Sequence, residues 1–216
     1  LFPYTTLFRS MATPPNNAKV SRDDWVNAAV AAAVHEPIDA LKVLVLADQL
    51  GVSRSSFYWY FESREQFLDA IVERWRLNTA SIVERAERAA RTVTAAVLGV
   101  FECWADSQLF NVALDLAMRD WGRRDGGARS LVADADAQRL DALSRMFGRH
   151  GYDEVEATVR ARLVYHSQVG LYAVAEPETV QQRLDRLPSY VVAMTGKAAS
   201  ADELAAFHRF VETHQG

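Results

Sequence analysis

The stretch Leu46–Arg64, LADQLGVSRSSFYWYFESR, constrains the fold more than any other part of the sequence. Its first residues have the apolar spacing of a helix, and Gly51 follows where the chain must reverse. Glycine adopts the positive φ of such a turn without steric cost. A second short helix is predicted over 54–61, with Ser53 as its cap. That helix contains five consecutive aromatic residues. Eight residues cannot bury five rings in a single helix core, so several rings must face another partner.

The order and spacing of this stretch resemble the helix-turn-helix of the tetracycline-repressor-like (TetR) transcriptional regulators. The matching segments are LA, LGVS, FY, YF, SRE and FL, which run without a gap from Leu46 to Leu68. Arg64 departs from the family pattern, in which Lys is common, but both cations can contact a phosphate. The resemblance implies a dimeric, sequence-specific DNA-binding regulator. Such a regulator is usually a repressor that a small-molecule inducer releases from its operator.

Composition favours an all-α chain. Half of the 216 residues are apolar, and runs of β-branched residues are few. The net charge of −4 excludes a non-specific nucleic-acid binder. Cys103 is the single cysteine, which rules out an internal disulfide and suits a reducing compartment. Since no apolar run reaches membrane-spanning length, we expect a soluble, cytoplasmic protein.

The first residues are treated apart from the fold. Leu1–Ser10 lacks the pattern of a secretory signal, resembles translated sequencing-adapter sequence, and precedes Met11, which looks like a natural start. We therefore predict a foreign or disordered arm over 1–20, a three-helix helix-turn-helix DNA-binding domain over 21–66, and a helical ligand-binding and dimerisation domain over 67–216.

Capping signals predict where several helices begin. Capping boxes mark Ser21, Ser63 and Ser200, and Asp39 is expected to cap the second helix. From Ser63 the apolar period continues to residue 86 without Gly or Pro, so one long helix is predicted to join the two domains.

The remaining segments follow the same helical period. A charged loop is predicted over 122–127, GRRDGG, and a break or kink near Pro188. Gly196 is expected to end the helix that contains Pro188. The other helices are predicted over 21–36, 92–107, 110–121, 128–148, 153–174, 178–195 and from 200 onward.

The DNA contacts are predicted from helix position and from the resemblance. Short polar side chains near the start of a recognition helix meet base edges, whereas phenols and a cation at the next helix N-terminus meet phosphates. Phe57 and Phe61 are expected in the core. The alternative, in which all the aromatic rings are core and the arginines are solvated, stays open. The predicted DNA-binding residues are Lys42, Ser53, Arg54, Ser55, Ser56, Tyr58, Tyr60 and Arg64.

The charge of this region limits how it can bind DNA. Residues 11–66 hold five Lys or Arg and seven Asp or Glu, a net charge of −2 (five minus seven). Affinity is therefore expected to depend on positioned contacts and on two copies that bind together, with modest salt sensitivity.

The second domain has more aromatic residues than a small bundle needs, with polar residues interleaved at helical spacing. Such a mixture suits an apolar pocket with a few orienting polar groups. For each aromatic taken singly, plain core is the alternative. The resemblance implies a small apolar or aromatic inducer in this domain. The predicted ligand-binding residues are Trp75, Asn78, Thr79, Phe101, Trp104, Met118, Trp121, Tyr165 and His166.

Two helices are candidates for a dimer interface. The helix over 153–174 has an apolar stripe with small residues, and the last helix is more apolar than one buried side requires. The resemblance implies that these helices form a four-helix interface between two subunits. The predicted interface residues are Val159, Leu163, Gly170, Ala173, Phe207, Phe210 and Val211.

The sequence contains no pattern that indicates catalysis. The five histidines show no metal-ligand spacing with Cys103, and neither a phosphate-binding loop nor a nucleophile elbow occurs. We therefore expect no enzymatic activity, metal or cofactor. Two alternatives stay open: a dimeric DNA-binding regulator without a small-molecule ligand, and an all-helical enzyme with a vestigial helix-turn-helix.

Overall fold

A computed structural model of the chain describes residues 20–174 and 178–214, and within these ranges every regular element is a helix. The predicted all-α class is therefore confirmed. Apart from Val20, the predicted arm over 1–20 lies outside the described residues. No described helix is long and apolar enough to cross a membrane.

The described residues divide between two compact units, which hold 20–77 with 113–132 and 78–112 with 133–174 and 178–214. The functional boundary proposed at residue 66 stays a prediction. Two short 3-10 helices cover Ile38–Ala40 and Arg54–Trp59. The α-helices are α1 (Arg22–Ala32), α2 (Val43–Leu50), α3 (Arg64–Thr79), α4 (Ser81–Glu87), α5 (Val93–Ala105), α6 (Val112–Arg124), α7 (Gly126–Arg149), α8 (Glu154–Val174), α9 (Val180–Thr195) and α10 (Ala201–His214).

The predicted capping boxes are confirmed at two helices and half formed at a third. At α1, the Ser21 hydroxyl accepts the Asp24 N–H at 3.2 Å, and the Asp24 carboxylate accepts the Ser21 N–H at 2.8 Å. The same reciprocal pair joins Ser200 to Glu203 before α10. At α3, Ser63 accepts the Gln66 N–H, but the Gln66 side chain accepts from Glu62 instead.

An aromatic cluster forms the core of the helix-turn-helix. Phe57 lies 5.3 Å from Trp25, 5.1 Å from Phe61 and 5.2 Å from Phe67, measured between ring centroids. All four rings are buried. Trp25 and Phe67 meet Phe57 edge to face, at interplanar angles of 78° and 80°, and such pairs contribute about 0.5–1.5 kcal/mol each beyond the area that they bury. The predicted core roles of Phe57 and Phe61 are confirmed.

Two predicted caps in this unit are wrong. The predicted short helix after the turn is present as a 3-10 helix, in which the N–H and the hydroxyl of Ser56 both donate to the Ser53 carbonyl, at 3.0 and 2.8 Å. The Ser53 hydroxyl pairs with Ser55 and does not cap the helix. Asp39 lies within Ile38–Ala40, and α2 begins after Lys42 without a side-chain cap.

The single helix predicted over 63–86 is interrupted at Ala80. No local sequence signal marks this break. Instead, the Asn78 carbonyl accepts the Asn111 N–H at 3.4 Å, and the Ser81 hydroxyl donates to the Leu109 carbonyl at 2.6 Å. These contacts with the segment after α5 hold the two residues that flank the interruption.

The predicted loop over 122–127 is also wrong, because only Asp125 lies outside the helices there. Arg123 and Arg124 both pair with Asp120 at 2.5 Å, which extends α6 to Arg124. The Asp125 carboxylate then accepts the Ala128 N–H at 2.7 Å and caps α7.

The helix predicted over 178–195 is continuous in the structure. Pro188 lies inside α9 and does not break it. Gly196 ends α9 with φ of 71°, as predicted.

The core of the second unit is built around α5. Nine of its thirteen residues are buried, and it packs against α4, α9 and α10. Cys103 lies in this core, and burial raises the pKa of its thiol to about 11.

We expect Cys103 to resist labelling in the native protein. At pH 8 a thiol with this pKa is almost wholly protonated, and the thiolate is the reactive form. The rate of reaction with iodoacetamide at pH 8 should be at least about a hundredfold lower in the folded chain than in denaturing urea. Equal rates would show that Cys103 is accessible.

Candidate nucleic-acid interface and ligand cavity

The turn of the helix-turn-helix presents a mixed polar and aromatic surface. Gly51 ends α2 with φ of 67°, and the Arg54–Trp59 helix follows. We call Arg54, Ser55, Tyr58 and Trp59, the exposed residues of that helix, the recognition surface. Tyr58 is 53% exposed and Trp59 is 77% exposed. This single 3-10 helix therefore exposes four different groups to solvent: a guanidinium, a hydroxyl, a phenol and an indole.

Five of the predicted DNA-binding residues have partners inside the same unit, and of these Ser53 and Ser55 pair with each other. Ser56 is buried and its hydroxyl donates to Ser53, so its predicted exposure is wrong. The half-buried Tyr60 donates its hydroxyl to the Val20 carbonyl. Arg64 donates to the Leu41 carbonyl at 3.0 Å and to the Asp39 carbonyl at 2.5 Å. DNA contact by these residues stays a prediction.

The remaining predicted DNA-binding residues are exposed, and so are Ser53 and Ser55. Lys42 lies directly before α2, and Ser53 directly before the recognition surface. Trp59 was not predicted as a contact, although the excess of aromatic residues in this helix was the signal that could have found it. Leu44 on α2 is also largely exposed.

Arg64 fixes the segment that leads into α2. Its two terminal nitrogens donate to two carbonyls of that segment, those of Leu41 and Asp39, a geometry that a single ammonium cannot reproduce in the same way. Asp39, on the same segment, forms an ion pair with Arg124 at 3.0 Å. Arg124 also lies 2.5 Å from Asp120 on α6, and the hydrogen bond from Arg124 is the main reason that the pKa of Asp120 is lowered. Arg64 and Arg124 therefore hold the helix-turn-helix from α3 and α6.

Comparison with known proteins shows which family this domain matches. Residues 26–71 match the family described as bacterial regulatory proteins, tetR family. Residues 26–71 form a tetR-family domain. The resemblance on which the sequence prediction rested is confirmed, and this tetR-family helix-turn-helix is a DNA-binding fold of transcription regulators.

The likeness of fold to solved structures extends over most of the chain. The crystal structure of Mycobacterium smegmatis AmtR has a TM-score of 0.59 and 15% identity, over 93% of this chain and 96% of that chain. A protein from Rhodococcus sp. described as a TetR-family transcriptional regulator has a TM-score of 0.52 and 15% identity, over 90% and 98%. At these identities the likeness concerns the fold. No curated protein matches the chain in sequence.

A cavity of about 80 Å³ lies within the second unit, between α5, α8, α9 and α10. Two predicted ligand residues, Phe101 and Trp104, line it. Residues that sequence reasoning did not assign to a ligand site also line it, including Glu178, Arg183 and Tyr190. The helical spacing of the apolar residues over 180–191 was the sequence signal that could have assigned α9 to the wall of the cavity.

The other predicted ligand residues do not line this cavity. Trp75 donates its indole N–H to Asp115 at 3.0 Å and belongs to the first unit, as do Met118 and Trp121. The buried Tyr165 hydroxyl donates to Asp136 at 2.6 Å and accepts from Arg139 at 2.7 Å. Asn78 is half-buried, Thr79 is buried and His166 is exposed.

The predicted dimer residues divide by exposure. Val159, Leu163 and Ala173 on α8 are exposed, and Gly170 is half-buried. Phe207 and Val211 are buried and line the cavity, so the apolar outer face that the sequence predicted for α10 is wrong at these two positions. Phe210 is half-buried and stacks on His214.

Substitutions at Tyr60 and Tyr58 distinguish a phenol with a hydrogen bond inside the protein from a phenol that is exposed to solvent. Tyr60→Phe removes the hydrogen bond to Val20 and should lower the free energy of unfolding by about 1 kcal/mol. Tyr58→Phe is the matched control and should change it by less than about 0.5 kcal/mol. Urea unfolding of both variants measures the difference, and equal effects would contradict the internal bond.

Proposed function

We propose that this chain is a cytoplasmic, homodimeric DNA-binding repressor whose release from its operator is driven by a small molecule. The observation that carries the proposal is the exposed recognition surface on a tetR-family helix-turn-helix. A tryptophan that is 77% exposed on this 3-10 helix, beside an exposed tyrosine, is available to a partner outside the protomer. DNA is the partner that suits this motif.

Each residue of the recognition surface suits a different part of the duplex. Arg54 stands first in the helix, where a guanidinium can contact guanine O6 and N7 together. Ser55 follows it and can accept from or donate to a base edge. Tyr58 and Trp59 offer an O–H and an N–H to phosphate oxygens, which set the register of the helix without reading sequence.

Charge does not explain binding by this domain. With five cations and seven anions over residues 11–66, the long-range field does not favour a polyanion. Specific affinity must come from the few positioned contacts, doubled by a second subunit. A two-fold operator with half-sites about one helical turn apart follows from that arrangement.

Loss of the Arg54 guanidinium should weaken operator binding at least about tenfold, since a bidentate base contact discriminates by about 1–3 kcal/mol. The operator is obtained by selection from random duplexes, and binding is measured by fluorescence anisotropy at two salt concentrations. Arg209→Ala, an exposed arginine on α10, is the matched control and should bind as the wild type does. If Arg54→Ala bound the operator with wild-type affinity, that result would contradict the base contact assigned to Arg54.

The exposed apolar side chains of α8 support dimerisation through this helix. Val155, Val159 and Leu163 recur every four residues, so they share one helix face, and all three are exposed. On α9, Val192 is exposed as well. We therefore propose that α8 and α9, rather than α8 and α10, form the four-helix interface, because Phe207 and Val211 of α10 face the cavity.

Leu163→Arg places a charge in the proposed interface and should convert dimers to monomers in analytical ultracentrifugation. Leu163 is 48% exposed in the protomer, so its substitution should leave the protomer folded. Leu77→Arg, at a residue 65% exposed on α3, is the matched control and should remain dimeric. Dissociation in both variants, or in neither, would contradict an interface on α8.

One observation favours a second candidate, a dimeric regulator without a small-molecule ligand. The cavity of about 80 Å³ is smaller than the roughly 300–1,000 Å³ of common ligand pockets. A ligand that fits without rearrangement is therefore small.

In the favoured mechanism, a small ligand binds more tightly to a dimer conformation in which the two recognition surfaces are wrongly spaced for the operator. Binding therefore shifts the population toward that conformation.

A further inference from the structure

Helix α2 begins without a local cap. Lys42, the residue before it, has extended backbone and a side chain that cannot accept the N–H groups of the first turn. We call residues 37–42, which lead into α2, the lead segment. The direction of α2 therefore depends on how the lead segment is held.

The lead segment is held by buried side chains and by two arginines. Ile38 and Leu41 are buried, at 0% and 3% exposed. Arg64 on α3 donates to the carbonyls of Asp39 and Leu41. Arg124, the last residue of α6, forms an ion pair with the Asp39 carboxylate at 3.0 Å. Arg64 therefore joins the lead segment to α3, whereas Arg124 joins it to α6.

A second carboxylate directs Arg124 toward Asp39. Nη1 of Arg124 lies 2.5 Å from Asp120, one turn earlier on α6, while Nη2 reaches Asp39. Two carboxylates thus engage the two ends of a planar guanidinium, which fixes its direction. Because both terminal nitrogens face carboxylates, the group offers little positive charge to a phosphate. Any effect of Arg124 on DNA binding must therefore act through the position of the lead segment.

Helix α6 is itself anchored to α3 inside the same unit. The buried carboxylate of Asp115 accepts the indole N–H of Trp75 at 3.0 Å and an N–H of Arg119 at 2.8 Å. Helices α3 and α6 therefore form one support, from which Arg64 and Arg124 reach the lead segment at two points. Two points of attachment restrict a rotation that a single point would permit.

The position of α2 sets that of the recognition surface. Helix α2 packs against the Arg54–Trp59 helix across the turn at Gly51, where the Val52 N–H donates to the Ala47 carbonyl at 3.0 Å. Contacts to phosphates fix the register and orientation of a protein on the duplex. Since the acidic balance over 11–66 supplies no long-range attraction, charge would not compensate for a rotated helix-turn-helix.

We propose that Arg124 is a positioning residue for operator binding, and that its ion pair with Asp39 sets the orientation in which α2 and the recognition surface meet the duplex. The inference rests on the proposed function, because it concerns affinity for an operator. It goes beyond that function by giving a role in affinity to an arginine outside the matched residues 26–71.

The first test measures operator binding by Arg124→Ala and Asp39→Ala with fluorescence anisotropy. Both variants should bind at least about threefold more weakly, because an exposed ion pair contributes little in one subunit but a dimer loses it twice. A pure charge effect predicts opposite signs, since loss of the cation would weaken binding and loss of the anion would strengthen it. Tighter or unchanged binding by Asp39→Ala would therefore overturn the inference.

Three further variants identify the ion pair as the cause. Arg123→Ala is the matched control and should bind as the wild type does, because Arg123 is adjacent, is 70% exposed and also pairs with Asp120. The double variant Asp39→Ala/Arg124→Ala should bind no more weakly than either single variant, since both lose the same interaction. Arg124→Lys should recover part of the affinity, because an ammonium can still pair with Asp39. Additive losses in the double variant, or equal weakening by Arg123→Ala, would contradict the pair.

Hydrogen exchange of the free protein tests the restraint without DNA. Amides over 38–46 include the N–H groups of Ala40 and Leu46, which donate to the Pro37 and Lys42 carbonyls. They should exchange faster in Arg124→Ala than in the wild type or in Arg123→Ala. Global stability in urea should change little, because the paired side chains of Arg124 and Asp39 are 40% and 39% exposed. Unchanged exchange over 38–46, or faster exchange throughout the chain, would overturn a local positioning role.

Selection of an operator separates this inference from the proposed function. If the wild-type chain selects no duplex, the proposed function fails and this inference fails with it. If the wild type binds an operator and Arg124→Ala binds it equally well, the regulator stands and this inference alone is overturned.

Discussion

Burial of Phe57 among the rings of Trp25, Phe61 and Phe67 is the interaction on which the recognition surface depends. With centroid separations of 5.1–5.3 Å, these contacts leave the Arg54–Trp59 segment little freedom to roll. Since Phe57 points inward, Tyr58 and Trp59 must point elsewhere, and both are exposed. Arg64 adds a second restraint through its bonds to the carbonyls before α2. The aromatic run therefore serves both the core and the surface.

Electrostatics in the first unit stabilise its internal contacts more than they attract DNA. Arg64 and Arg124 are engaged with the backbone or the carboxylate of Asp39, and Arg74 pairs with Asp23 at 3.2 Å. Of the cations over 42–64, Lys42 and Arg54 are the ones exposed without such a role among the described contacts. In the proposed regulator, the acidic balance of the region, together with this use of its arginines, makes DNA binding depend on positioned contacts and on a second subunit.

In the second unit, α10 contributes to the interior rather than to an outer face. Phe207 and Val211 close the cavity together with α5, and the carboxylate of Glu203 accepts from Thr94 at 3.0 Å. That leaves α8 and α9 with the exposed apolar side chains. Because Phe207 and Val211 are buried inside the protomer, they cannot also lie on the surface of the proposed interface.

The sequence alone determined the all-α class, the tetR-family helix-turn-helix, the core role of Phe57 and Phe61, and the capping boxes at Ser21 and Ser200. All depend on local spacing or on side chains within four residues, which the sequence displays directly. Only the tertiary structure decided the internal bond of Tyr60, the interruption at Ala80 and the inward face of α10. Each of these is decided by a partner or by packing distant in sequence, and no local pattern encodes which distant group will be near.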